Sequence, residues 1–194
     1  MSTPYDKAVS AIDAAHAEDP NKITIDGKEL PYELHYAQKC TSYLEKRTSS
    51  ATETLKLAIR AQHFRRWEVP RSSYPMTRIG YHAWRTYLKK RQAELVQDIM
   101  ISSGYSTEDG ERVAALIRKE DLKVDEETQI LEDVACLVFL DDQFEQFEKE
   151  HNEDKILGIL RKTWGKMTET GHELALQIPM SGRPQELVQK ALAG

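Results

Sequence analysis

Apolar residues recur at three- and four-residue spacing along almost the whole chain, and glycine and proline fall mainly at the joints between such stretches. That period leaves helices as the main element available. The spacing predicts helices over about 4–16, 32–46, 52–67, 78–102, 107–121, 127–150, 153–166 and 184–192. Ser2 or Thr3 before Pro4, Ser50 or Thr52 with Glu53, and Ser106 or Thr107 followed by Asp109 supply capping starts. Only Lys22 to Leu30 reads as strand, two short segments about Asp26-Gly27, a dipeptide that closes a small hairpin. No internal repeat, low-complexity tract or linker interrupts the pattern. The expectation is one compact all-α, multi-helix domain over 1–194, with its core over about 30–180 and a polar, loose tail over about 181–194.

A chain of 194 residues, 40% of them hydrophobic, is long enough to bury a core. No apolar run nears the roughly 20 residues that a membrane span needs. The first residues, Met1 to Lys7, lack the charged and apolar regions of a signal peptide. The expected location is therefore the cytoplasm, with the nucleus left open, and no membrane partner is expected. Cys40 and Cys136 lie among apolar helical neighbours and read as small core residues, not as a disulfide or a thiolate metal site.

The net charge of −5 conceals a division. Arg60 to Arg91 carries +8, whereas Glu94 to Asp154 carries −14. A compact basic segment inside an acidic protein attracts phosphate or another anion. The alternative is that its arginines pair with the acidic helices across the fold. Nucleic acid is a poor partner, because an acidic surface repels the backbone that supplies most such affinity.

Helix faces indicate which ionisable groups point inward, where a charge is costly unless paired or bound to metal. Leu55, Ile59 and His63 fall at i, i+4 and i+8, so His63 extends an apolar stripe. Asp133 shares a face with Ile130, Val134 and Leu137 and is expected at the edge of a core formed by the all-apolar run Val134–Leu140. Glu33 leads into Ala37, Cys40 and Leu44 on the apolar side of its helix, while His35 falls on the wet side. Gln92 lies in the stripe Leu88, Leu95 and Ile99. Glu120 follows Val113, Leu116 and Ile117 on one face, with Lys119 beside it. One His, several carboxylates and an amide converging from different helices can hold a hard or borderline divalent metal. An ordinary buried hydrogen-bond network is the alternative.

The segment Arg65 to Tyr74 follows directly from the His63 helix. Arg66 and Arg71 offer planar forks for phosphate or carboxylate, Trp67 and Tyr74 offer rings, and Arg85 stands on the next helix. A loop pinned by Pro70 and Pro75, with Trp67 filling the core, is the competing reading. Trp84 and Trp164 occupy core-like positions. No Gly-rich phosphate loop, Gly-x-Ser-x-Gly elbow or His-Glu-x-x-His signature is present.

The words Arg60-Ala-Gln-His-Phe-Arg-Arg-Trp-Glu-Val-Pro-Arg-Ser-Ser-Tyr-Pro75, Gly80-Tyr-His-Ala-Trp-Arg85, Lys119-Glu120, Leu131 to Leu140 and Arg161-Lys-Thr-Trp-Gly-Lys-Met167 closely resemble the domain of unknown function family 4202 over about residues 30–180. That resemblance brings no established activity. The order of elements also resembles HD-domain phosphohydrolases, all-helical enzymes whose metals sit on a first His, a His-Asp pair and a later Asp. Asp133 matches the final aspartate, whereas Phe64 stands after His63 where the pair needs Asp. The resemblance implies an HD-like domain holding one divalent metal ion (Mn, Fe, Co, Ni or Zn) through His63, Asp133 and Glu33. It would hydrolyse a phosphorylated small molecule or nucleotide, with Glu120 and Lys119 as catalytic candidates. Arg66, Trp67, Arg71, Tyr74 and Arg85 would hold the anionic substrate. The competing expectation is a metal-free binding or scaffold protein that uses the same Arg and aromatic loop for an anionic ligand or partner.

Overall fold

Short polar residues start most of the helices in the computed structural model, which describes residues 2–193. At α1 (Pro4–His16) the Thr3 hydroxyl accepts the Asp6 N–H, and the Asp6 carboxylate accepts the Thr3 N–H, a reciprocal cap. The hairpin of β1 (Lys22–Ile25) and β2 (Lys28–Pro31) pairs Ile25 with Lys28 across Asp26 and Gly27. Both turn residues take positive φ, 49° and 77°, as a two-residue turn between antiparallel strands requires. α2 (Tyr32–Arg47) follows at once. α3 (Glu53–Arg60), α4 (Arg78–Ser103) and α5 (Thr107–Arg118) open on Thr52, Thr77 and Ser106, whose side chains each accept a backbone N–H. Asp125 does the same for α6 (Glu126–Val138).

The expected helix over 127–150 is broken once. A π-helical turn, Phe139–Gln143, joins α6 to α7 (Phe144–Glu150). α8 (Glu153–Lys166) starts on Asn152, and α9 (Glu169–Leu176), which the periodicity did not predict, starts on Thr168. The expected helix over 184–192 is α10 (Gly182–Ala193), and the tail is not loose as expected, since α10 packs on α8 with Leu187 and Ala191 buried. Its apolar positions find a groove that no local pattern announces. Apart from the hairpin the described residues form an all-α fold, and none of its helices is long and apolar enough to cross a membrane.

α6 occupies the centre. Its Leu131, Val134, Leu137 and Val138 are wholly buried, and the helix packs on α2, α3, α8 and α9. Cys40 and Cys136 are buried free thiols, and loss of water pushes both up to about 12. Asp133, expected at the core's edge, has no solvent exposure at all. Arg47 donates to its Oδ2 at 2.7 Å, and Thr168 donates through its backbone N at 2.8 Å to Oδ1 and through its hydroxyl at 2.5 Å to Oδ2. This carboxylate therefore ties α2, α6 and the start of α9 together.

Gly171 lies against that knot. A Cβ added there would stand 2.5 Å from Asp133 Oδ1 and 2.8 Å from Cγ, closer than atoms pack. Gly171→Ala should therefore destabilise the fold by about 1–3 kcal/mol, as overpacking at a fixed site does. Urea unfolding measures it, and an unchanged midpoint would show that the carboxylate is free to move.

Candidate functional site

α3 ends at Arg60, so His63 does not continue its stripe as the i+8 spacing had suggested. It sits in the turn that follows, with φ 62°, and Arg65 has φ 50°, both in the left-handed region that few non-glycine residues adopt. Glu33 holds this turn. Its carboxylate accepts the backbone N–H of Arg65 at 3.1 Å and of Arg66 at 2.7 Å. The same group bonds His16 Nδ1 at 3.1 Å, and His16 Nε2 meets the Arg60 carbonyl at 2.9 Å. Glu33 is thus inward, as its helix face predicts, and is engaged in fixing backbone.

The turn lies between two adjoining compartments of about 400 and 390 Å³, which share Tyr36, His63, Arg66 and Gln143 as walls. The first is aromatic and polar, lined also by Asn21, Trp67, Pro70 and Trp84. The second is cationic, lined also by Gln62, Arg85, Lys89, Gln92, Lys119, Glu132 and Lys166. The His63 ring stacks on Tyr36 with centroids 4.2 Å apart and planes 11° from parallel. Arg66 Nη1 donates to His63 Nε2 at 3.0 Å, and the Arg66 guanidinium lies over the Trp84 ring at 4.8 Å. The π turn aims Gln143 at this wall, where its amide donates to the Tyr32 hydroxyl at 2.8 Å.

Positive charge dominates the second compartment. Lys119, left-handed at the end of α5 with φ 58°, bonds Glu132, which also meets Lys166 at 3.3 Å. Burial alone would raise the Glu132 pKa, yet these two lysines hold it below the usual carboxylate range. Among the described residues Arg66, Arg85 and Lys89 have no carboxylate partner. Burial, then the neighbouring Arg85, lowers the Arg66 pKa, and burial with Lys119 and Arg85 lowers that of Lys89. His63 is held well below its ordinary 6.5 by burial first and then by Arg66, Arg85 and Lys119. Two buried amide nitrogens, Gln62 Nε2 and Gln92 Nε2, have no hydrogen-bond partner among the described residues, and neither has Trp67 Nε1 in the first compartment.

The expected metal ligands are not brought together. Glu33 and His63 border the first compartment, while Asp133 is bound to Arg47 and Thr168 beneath α9. Among the described residues no group of three or more His, Cys, Asp and Glu side chains is disposed to hold a metal ion. His63 offers a nitrogen already bonded to a guanidinium, so this donor set does not fit a divalent cation. Glu120 is also displaced from its expected inward place. Left-handed Lys119 ends the helix before it, so Glu120 faces solvent and pairs with Arg118 at 2.6 Å. Lys119 itself reaches the cationic compartment.

Of the loop residues, Arg66 and Trp67 line the pocket as expected, and so does Arg85 from α4. Arg71 reaches the first compartment, but its guanidinium donates to the carbonyls of Tyr74, Pro75 and Thr77 at 3.0, 2.8 and 3.2 Å. Tyr74 lines neither compartment and packs on Tyr87. His35, expected on the wet side, is buried and bonds Asp142 at 2.6 Å, an acceptor that the π turn carries to it. Lys89, Gln62, Glu132 and Gln143 were missed. Lys89 alone had a local signal, since Arg85, Lys89 and Gln92 fall at i, i+4 and i+7 on α4.

Fold and pocket together define an all-α domain with a cationic cavity beside an aromatic one. The chain belongs to the family described as domain of unknown function (DUF4202), which matches residues 6–188. Comparison with curated proteins and with solved structures gave no match. Phe64, at the place where an HD pair would need Asp, is a core residue set edge-on to His16 with ring centroids 5.5 Å apart.

The depressed His63 pKa sets a pH window. An unfolded chain protonates this imidazole below about 6.5, whereas the folded one keeps it neutral to lower pH. The unfolded state then binds more protons, so the His63 contribution is fully present above 6.5 and is lost as pH falls toward the folded value. NMR titration of the ring should find it neutral at pH 6, and Arg85→Gln should raise its pKa. A normal pKa near 6.5 would show that the cations do not surround it.

Proposed function

We propose that this domain binds a phosphorylated small molecule, with the phosphate in the cationic compartment and the body of the ligand against Trp67 and Trp84. The observation that carries this reading is the half-buried Arg66 guanidinium, which, with Arg85 and Lys89, has no carboxylate partner among the described residues. A buried cation without a counter-charge is costly, and an anion is what removes that cost. Arg66 and Arg85 would grip phosphate oxygens through paired N–H groups. Neutral His63, with Nε2 already taken by Arg66, would orient that arginine instead of carrying charge. The indole N–H of Trp67, without an acceptor among the described residues, would meet a polar atom on the ligand's body.

A metal-assisted hydrolase remains the second reading of the same pocket, on the strength of the HD-like order of elements. It needs Glu33 or Asp133 to leave its partners, and the cations around His63 oppose a second positive ion. The two readings part on one measurement. Calorimetric titration with inorganic phosphate, after dialysis against a chelator, should show binding that metal removal leaves unchanged. Arg85→Gln should weaken that binding by about tenfold, the loss of one charge-assisted contact. Binding that appears only after Mn or Zn is restored would overturn the metal-free reading.

A further inference from the structure

The charge in the cationic compartment exceeds what one phosphate neutralises, and this inference rests on the anion-binding reading above. Arg66, Arg85, Lys89, Lys119 and Lys166 line it against the single carboxylate of Glu132, a formal excess of +4 with His63 neutral. One phosphoryl group carries about −1.5 to −2 at neutral pH, so two are needed to match. The donors are also spread out. Arg85, Lys89 and Gln92 run along one face of α4 over about 10 Å of helix axis, near two turns, which is more than one phosphoryl group spans. At the inner end Arg66 reaches His63, and at the outer end Lys166 is more than half exposed. Lys119 and Lys166 share the Glu132 carboxylate. Gln62 and Gln92, each 7% exposed, line the same space and carry two buried amide nitrogens with no partner among the described residues. Charge excess, length and unmet donors are three separate features, and a ligand with two anionic groups answers all of them.

We propose that the compartment takes a ligand bearing two phosphoryl groups, a diphosphate or a bisphosphate. Arg66 and Arg85 hold one group beside His63, Lys89 and Lys166 hold the other nearer the mouth, and the Gln62 and Gln92 amides donate to phosphate oxygens. The Lys119–Glu132 pair supplies one further N–H donor between the groups while limiting the local charge.

Calorimetry on the full chain at fixed ionic strength, with inorganic phosphate and pyrophosphate as probes, tests this. Pyrophosphate should bind at least about tenfold more tightly. Lys89→Gln and Lys166→Gln should each lower pyrophosphate affinity several-fold and leave phosphate affinity nearly unchanged, while Lys7→Gln, on the exposed face of α1, should alter neither. Lys89 and Lys166 are partly exposed, so both variants should fold, which thermal melting checks. Equal affinity for the two anions, or variants that weaken both alike, would overturn the two-group site and leave the phosphate reading standing. No binding of either anion would overturn both.

Discussion

Two backbone N–H groups, of Arg65 and Arg66, donate to the Glu33 carboxylate, and the His16 ring lies within hydrogen-bond distance of it. Glu33 is in turn fixed through its own backbone N–H, which donates to buried Asp19 at 2.9 Å. The left-handed conformations of His63 and Arg65 cost on the order of 1–3 kcal/mol each. Hydrogen bonds to a charged group contribute about 1.5–3 kcal/mol each, enough to offset that strain. The i, i+4, i+8 pattern of Leu55, Ile59 and His63 would carry α3 on through His63, but the helix ends at Arg60. There the chain turns back, and His63 and Arg66 become the shared wall of two compartments.

That wall decides which ligands the pocket favours. Two unit charges about 4 Å apart interact by roughly 4 kcal/mol at the effective dielectric near a protein surface. A divalent cation beside even one of the unpaired arginines would face about twice that repulsion. The same figure, with the sign reversed, favours a phosphate dianion. Glu132 does not alter the balance, because its charge is already shared between Lys119 and Lys166. His63 responds to the same field: a neutral imidazole accepts from Arg66 without adding a further positive charge.

Much of the fold is legible in the sequence because its determinants are local. The helix starts at Thr3, Thr52 and Ser106 lie beside the chain they cap, and Asp26-Gly27 carries its turn conformation in its own residues. The apolar run Val134–Leu140 marks the central helix because no other environment tolerates it. What stays hidden depends on distant partners. α9 starts on Thr168, whose N–H and hydroxyl both bond Asp133, 35 residues earlier in the chain. Helix faces give direction and not company: Glu33, Asp133 and Gln92 all point inward as read, yet they go to three different places. Asp133 finds Arg47 from α2, and nothing near either residue in sequence announces that pair. Glu120 fails because left-handed Lys119 ends its helix, and His63 fails because α3 ends at Arg60 and the turn that follows holds His63 left-handed. Neither is a glycine, so composition gives no warning.

The irregular backbone is concentrated at the pocket. His63 and Arg65 are left-handed after α3, Lys119 is left-handed after α5, and the π turn before α7 carries Gln143. Of these, His63, Lys119 and Gln143 line the cationic compartment, and Arg65 directly precedes Arg66, which does so too. The remaining left-handed non-glycine positions, Asp26 and Asp121, belong to a hairpin turn and a loop whose residue types favour that conformation. Departures from regular helix persist only where surrounding contacts over-determine them, and they gather where a side chain must be aimed at something other than the core. Here three of the departures bring a polar residue to the wall of one cavity: a cation from Lys119, an imidazole from His63, an amide from Gln143. Gln62 and Gln92 line the same cavity, and their buried amide nitrogens find no partner among the described residues. A purely structural cavity would be filled by apolar side chains and regular helix, as the α6 core is. Strain, unpaired charge and unmet donors meet at one place.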